Sequence, residues 1–293
     1  MPRVRITHAT EYRYARQVRF TTHRLMLRPR DSHDLRLLSA TMSLMPPAAT
    51  TRWSHDVFGN SVCTLDWDEM QAASTLRVIS RLDLEHFPAA IDLPHDSLDP
   101  VATTYPFSYA SEEFPDLARL LERHHPDPNR QVDAWARRFL RRGAPTPTLD
   151  LLATMTQAIK TEFRYAARDA QGTNPPVATL RTGQGACRDF ALLMMEACRS
   201  LGLAARYVSG YLLTQPPPGK PRLVGADASH AWAAVWCPPH GWLALDPTND
   251  VPVGQDHVTL AWGRDYADVA PLRGVIRGGS GNAPRVAVTV EPL

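Results

Sequence analysis

Lysine is almost missing from this chain: Lys160 and Lys220 are the only two among its 32 basic residues, and the rest are arginine. Codon usage in a GC-rich genome accounts for such a skew. It would bear on chemistry only in a protein that passes acyl groups to amines. An excess of charge is missing too. A net charge of +2 over 293 residues makes no field to gather nucleic acid or an anionic membrane surface. No run approaches the ~18 apolar residues of a membrane span, and the opening MPRVRITHATEYRYARQVRF never builds the apolar stretch of a signal peptide. Cysteine is scarce. Cys63, Cys187, Cys198 and Cys237 form no CxxC pair and no regular framework, which excludes a zinc ribbon and a disulfide scaffold. A reduced, cytoplasmic thiol protein is the expectation.

What is present fits a soluble folded chain, 44% hydrophobic and 21% charged, long enough for one large domain or two modest ones. The first ~85 residues alternate with the period of half-buried strands. Even positions from Val4 to Tyr14 carry the larger side chains, and Leu76, Val78, Ser80, Leu82 and Leu84 repeat the pattern, with Ile79 breaking it. Gly59-Asn60 suits a hairpin turn with positive φ. Pro88, Pro94, Pro100 and Pro106 then interrupt regular structure.

Helical spacing follows. Phe114, Leu117, Leu120 and Leu121 share a face, as do Val132, Trp135, Ala136, Phe139 and Leu140, and then Leu152, Met155, Ile159 and Phe163. Beyond Gly202 the period turns to strands, in AARYVSGYLL, SHAWAAVWC, GWLALDP and HVTLAW. The cluster Pro216-Pro217-Pro218-Gly219 reads as a surface loop, and GGSGNAP as a turn before a last strand from Arg285. Helices first and strands after indicate an α+β class. The expected division is an N-terminal antiparallel β domain over 1–88, a linker over 89–110 and a core over 111–293.

Chemistry gathers at GACRDFALLMMEACRSLG, residues 185–202. Phe190, Leu193, Met194 and Ala197 define a helix that begins near Cys187. A thiol there faces unpaired backbone N–H groups and the positive end of the helix dipole. Both favour thiolate, and the same N–H groups can receive an oxyanion. The glycines just before it permit close approach of a substrate carbonyl. Cys198 shares the stripe of Phe190, Met194 and Leu201 and reads as a small core residue.

A base and an orienter lie downstream. His230 leads one strand, Asp246 ends the next, and the short CPPHG connection makes the two a hairpin. If Trp236 pairs with Trp242, Asp246 falls opposite Trp232, on the face that carries His230. Diagonal neighbours sit ~7–8 Å apart, a span that imidazole and carboxylate can bridge. A shift of one residue would part them. The other histidines, His257 among them, fall in polar, turn or linker contexts. His124-His125 lacks a third ligand at a regular offset, and so do Cys187 and His230. No metal and no cofactor is expected.

Gly185-Ala186-Cys187-Arg188-Asp189-Phe190-Ala191, His230-Ala231-Trp232 and Asp246-Pro247-Thr248-Asn249 together resemble the transglutaminase-like superfamily. Specifically, they resemble its bacterial two-part proteins, described as cysteine proteases with a transglutaminase-associated N-terminal domain. The DVFGN turn and the tail HVTLAWGRDYADVAPLRGV carry the likeness across most of the chain. The resemblance implies a papain-like core with Cys187 as nucleophile, His230 as base and Asp246 as orienter. Many relatives have glutamine where Arg188 stands and histidine where Leu192 stands, so substrate contacts differ. Tyr165, Ala186, Arg188 and Trp232 are candidates for oxyanion or substrate contact. Tyr165 also reads as a rim or core aromatic and Trp232 as core, and Asp189 as a helix cap or strand anchor.

The expected substrate is a peptide or protein amide, with no nucleic acid or membrane partner and the oligomeric state open. The expected reaction is acyl transfer through a thioester, with hydrolysis by a peptidase or amidase ahead of transfer to an amine. A catalytically silent binding module of the same fold is the rival from another class.

Overall fold

The computed structural model describes residues 3–88, 98–168, 171–214, 223–224, 228–280 and 283–293. Pro94, the Pro216-Pro217-Pro218-Gly219 cluster, Lys220 and Gly281-Asn282 of GGSGNAP lie outside the described residues.

Five strands come first: β1 (Arg3–Leu25), β2 (Leu35–Met45), β3 (Thr50–His55), β4 (Ser61–Asp66) and β5 (Ala72–His86). Their inward positions follow the alternation. Val4, Ile6, His8 and Thr10 are buried in β1, as are Leu76, Val78, Ser80, Leu82 and Leu84 in β5. Ile79 interrupts the pattern from the outer face, where it is only half-buried. Between β3 and β4, Gly59 alone takes positive φ (76°). Asp56 organises that turn, its Oδ1 accepting the N–H of Phe58 at 3.0 Å and of Asn60 at 2.8 Å. The Asn60 side chain bonds Asp56 as well, donating from Nδ2 to Oδ2 at 3.0 Å, and also reaches Trp262, donating from Nδ2 to its carbonyl at 2.8 Å and accepting its N–H at 3.0 Å. It pins the first sheet to the second.

The middle of the chain holds β6 (Thr104–Tyr105), α1 (Phe114–Leu121), α2 (Gln131–Arg137), β7 (Thr146–Pro147), α3 (Thr148–Glu162), β8 (Arg164–Tyr165), α4 (Pro176–Thr182), β9 (Gln184–Gly185) and α5 (Cys187–Ser200). Helix α2 stops at Arg137, one turn short of the apolar pattern, leaving Phe139 and Leu140 in the turn beyond it. Helix α4 is too short to show a clear apolar period in the sequence; it begins on a proline, whose fixed φ suits a first helical turn. In α5 nearly every residue is buried. A helix buried on all sides belongs at the centre of a fold, and α5 lies against β10 (Ala205–Leu212), β11 (His230–Cys237) and α2. The described part of the expected linker, 98–110, is packed down. Tyr109 accepts the Ala204 N–H at 2.8 Å and donates to the Trp236 carbonyl at 3.2 Å, and β6 pairs with β7.

The chain closes with β12 (Gly241–Asp246), β13 (Val251–Pro252), β14 (His257–Gly263), α6 (Tyr266–Val269), β15 (Leu272–Arg277) and β16 (Arg285–Pro292). The second sheet runs β13-β12-β11-β10-β14. Strands β15 and β16 do not belong to it. Both pair antiparallel with β1, giving the first sheet seven strands. The division at 111–293 therefore follows the order of the chain and not the sheets, because alternation marks a strand without naming its partner. Val4, Ile6, Leu82, Leu84, Val288 and Val290 share one hydrophobic core with α5 and the second sheet. The molecule is an α+β fold with an N-terminal antiparallel sheet. No described helix is long and apolar enough to cross a membrane.

Candidate active site

Cys187 is the first residue of α5, preceded by Ala186 in extended backbone (φ −88°, ψ 172°). As the first helical residue its N–H has no carbonyl four residues back to bond within the helix. Asp189 completes the cap. Its Oδ2 accepts the Ala186 N–H at 2.9 Å, and its Oδ1 accepts the Asn174 N–H at 2.6 Å and an N–H of Arg168 at 3.1 Å. It is fully buried and serves the fold. The two glycines have other reasons than substrate approach. Gly183 takes positive φ (62°) to end α4, and at Gly185 a Cβ would stand 2.9 Å from that of Asp189.

The β8–β9 pairing is parallel and sets Tyr165 beside Gly185. Tyr165 thus lines the same pocket as Cys187. Burial raises its phenol to about 12, so it stays a hydrogen-bond donor through the neutral range. Ala186 and Arg188 also line the pocket, and Arg188 donates from Nη2 to the Arg168 carbonyl at 2.5 Å.

The hairpin has the register that brings base and carboxylate together. Trp236 pairs with Trp242 and Ala233 with Leu245. Asp246 then accepts from His230 Nε2 at 2.8 Å. Two further donors reach the same oxygen, Asn249 Nδ2 at 2.7 Å and His257 Nε2 at 3.2 Å. The Thr248 N–H supplies the other oxygen at 2.9 Å. Burial alone would raise the carboxyl, but His230 and these donors outweigh it and hold Asp246 well below the usual carboxylate range. For His230, burial works downward and is outweighed by Asp246 and Cys187, which hold the imidazole well above its ordinary value. The remaining ring nitrogen, Nδ1, is buried without a hydrogen-bond partner. It is the nitrogen left for Cys187, and both residues line one cavity of about 280 Å³.

Trp232 lies away from the pocket. It is fully buried and absent from the pocket lining. It backs the two imidazoles, with ring centroids 6.2 Å from His230 and 5.3 Å from His257. The side-chain parity that puts Asp246 opposite Trp232 also directs this indole into a hydrophobic cluster with Val208 and Ala234, against which Trp242 and Trp262 pack. His125, of the adjacent pair considered for a metal, is bonded to Asp265 at 2.8 Å.

One member of the Asp246 cluster, His257, escaped sequence reasoning. Asn249 lay within the Asp-Pro-Thr-Asn motif and was legible there. His257 was not, because β14 pairs with β10 rather than with a neighbour in sequence, and a register irregularity falls between Ser209 and Gly210.

Residues 133–247 match the family model of the transglutaminase-like superfamily, and residues 4–85 match that of the bacterial transglutaminase-like N-terminal region. The chain belongs to the transglutaminase-like superfamily. The core match contains Cys187, His230 and Asp246 and ends before His257. An uncharacterized protein of Mycobacterium tuberculosis H37Rv is 36% identical over 99% of this chain and 93% of its own length. One of Mycobacterium leprae is 26% identical over the whole of both. The crystal structure of a candidate cysteine protease from Cytophaga hutchinsonii superposes with a TM-score of 0.75 at 19% identity, covering 100% of this chain and 91% of that one. That likeness establishes the fold. A protein-glutamine gamma-glutamyltransferase of Pseudomonas aeruginosa is 39% identical over 71 residues, 24% of this chain and 11% of that protein.

Proposed function

We propose that the protein is a thiol-dependent acyl-transfer enzyme that opens peptide or glutamine-type amide bonds, with hydrolysis as its normal outcome. The observation that carries this is the division of labour on His230: Nε2 is bound to Asp246, and the buried Nδ1 is left without a partner in the pocket it shares with Cys187.

In this mechanism Nδ1 takes the proton of Cys187, and the sulfur attacks the amide carbon. Negative charge collects on the carbonyl oxygen, within reach of the Cys187 N–H at the helix start and of the Tyr165 hydroxyl. As the C–N bond breaks, Nδ1–H of His230 gives its proton to the departing amine and a thioester remains. Water then loses a proton to Nδ1 and attacks the thioester, releasing the acid and restoring the thiol. Asp246 keeps Nε2–H fixed, so Nδ1 faces the sulfur throughout.

Hydrolysis stands ahead of amine transfer because the described residues that line the pocket include no carboxylate to hold an amine acceptor. The short match to a glutamyltransferase supports a glutamine-type donor and keeps amine transfer as the second reading. The test compares wild type with Cys187→Ala on glutamine-containing peptides, with and without a primary amine. Ammonia or a cleaved chain without amine incorporation is expected. Amine adducts would favour the transferase, and no Cys187-dependent product in any arm would leave a binding module.

A further inference from the structure

The catalytic pocket has a wall that the core does not supply. Along the inner face of β1, Val4 and Ile6 are buried among apolar side chains of α5 and the second sheet. From His8 onward the same face turns polar, and His8, Thr10 and Tyr12 line the cavity that contains Cys187 and His230. Val286 of β16, paired with Thr10, lines it too.

The polar part of this wall is a directed chain of hydrogen bonds. His8 Nδ1 is 2.7 Å from the Tyr211 hydroxyl, and Nε2 is 3.0 Å from Thr10 Oγ1. Tyr211 is fully buried, and His8 is its only hydrogen-bond partner among the described residues. Donation of its proton to Nδ1 is the arrangement that satisfies this buried O–H among the described residues. A neutral ring that accepts at Nδ1 donates at Nε2, so Thr10 Oγ1 receives that proton. Burial lowers the His8 imidazole to about 4 and keeps it neutral at ordinary pH. The hydroxyl proton of Thr10 is then the one donor left over, on a residue that lines the pocket.

We propose that Thr10, oriented by His8 and Tyr211, is a specificity residue: its hydroxyl donates to an acceptor oxygen on the acyl portion of the substrate, so that the N-terminal sheet selects peptide-like donors over simple amides. His8 acts through Thr10 and is a positioning residue. The proposal rests on the acyl-transfer reading of Cys187.

Its test compares alkylation of Cys187 by iodoacetamide with alkylation by an acetyl-dipeptidyl chloromethyl ketone, which carries backbone carbonyls as well as a reactive carbon. Thr10→Val keeps the shape and removes the donor. It should lower the rate of the peptidyl reagent relative to iodoacetamide about tenfold, equivalent to about 1.4 kcal/mol. Thr10→Ser should restore the ratio. Thr7→Val, on the outer face of the same strand, should leave it unmoved. An unchanged ratio in Thr10→Val overturns the proposal, as does a failure of Thr10→Ser to restore it. If wild-type Cys187 reacts with iodoacetamide no faster than a free thiol, the acyl-transfer reading falls and takes the proposal with it. A reactive Cys187 with an insensitive ratio sinks the specificity role alone.

Discussion

Two buried carboxylates, Asp246 near the N-terminal end of α5 and Glu196 near its C-terminal end, face cations and differ in what they leave unbound. Glu196 accepts from Arg199 Nη1 at 3.1 Å and Arg123 Nε at 3.0 Å, and from the N–H groups of His124 at 3.3 Å and His125 at 3.4 Å. Arg199 in turn donates to the carbonyls of Leu120 at 3.0 Å, Ala205 at 2.8 Å and Arg264 at 2.7 Å. The guanidinium fork is occupied, and the network joins α5 to α1, β10 and the end of β14. Asp246 is equally well supplied, yet its partner His230 keeps one ring nitrogen unbonded in a pocket. Burial and charge pairing are common to both. The thiol of Cys187 beside His230, both of them residues that line a cavity, separates a support from a candidate reagent.

The sharpest way to break this contrast is Asp246→Asn. The amide can hold His230 in the wrong tautomer, and Cys187-dependent turnover should fall on the order of 10³- to 10⁴-fold. Steady-state kinetics that stay within a few fold of wild type would remove Asp246 from its role. Glu196→Ala should do the reverse. It leaves Arg199 buried without its carboxylate and should cost about 3–5 kcal/mol in chemical denaturation, while the molecules that remain folded keep their specific activity.

His8 tests a third buried polar group, faced by Tyr211 and Thr10. Its folded value of about 4 lies below the ordinary 6.5. Between those values the unfolded chain binds a proton that the folded one refuses. Stability from this group is complete above pH 6.5 and is lost as pH falls toward 4, by about 3 kcal/mol. Denaturation of His8→Gln across that range should show a shallower pH slope, and an unchanged slope would assign the acid lability elsewhere. The smallest effect is expected from His257→Phe. It removes one of three donors to a single Asp246 oxygen, and turnover should fall by about 2 kcal/mol or less, roughly 30-fold, with Asp246→Asn remaining far more damaging.

Local signals made much of the site legible. The helix start at Cys187 follows from apolar spacing, and the approach of His230 to Asp246 follows from the length of one turn and the parity of two strands. Whatever depends on contacts between distant strands was hidden. Nothing in HVTLAW says that β14 lies beside β10, so His257 passed as a peripheral histidine. The alternation in β1 showed which side chains point inward but not that Thr10 and Tyr12 meet a cavity while Val4 and Ile6 meet a core. The strand from Arg285 was recognised as a strand, and its sheet was not.

That last pairing limits how the chain can be divided. Residues 4–85 match a family model of their own, yet β1 within them is bonded along one side to β16, from Val4 opposite Pro292 to Glu11 opposite Arg285, and to β15 beyond. A fragment cut to the family boundary would carry a long strand with one side stripped of its partners, and such an edge recruits other copies into intermolecular sheets. A soluble excised N-terminal region would need residues 272–292 supplied in trans or joined ahead of Arg3.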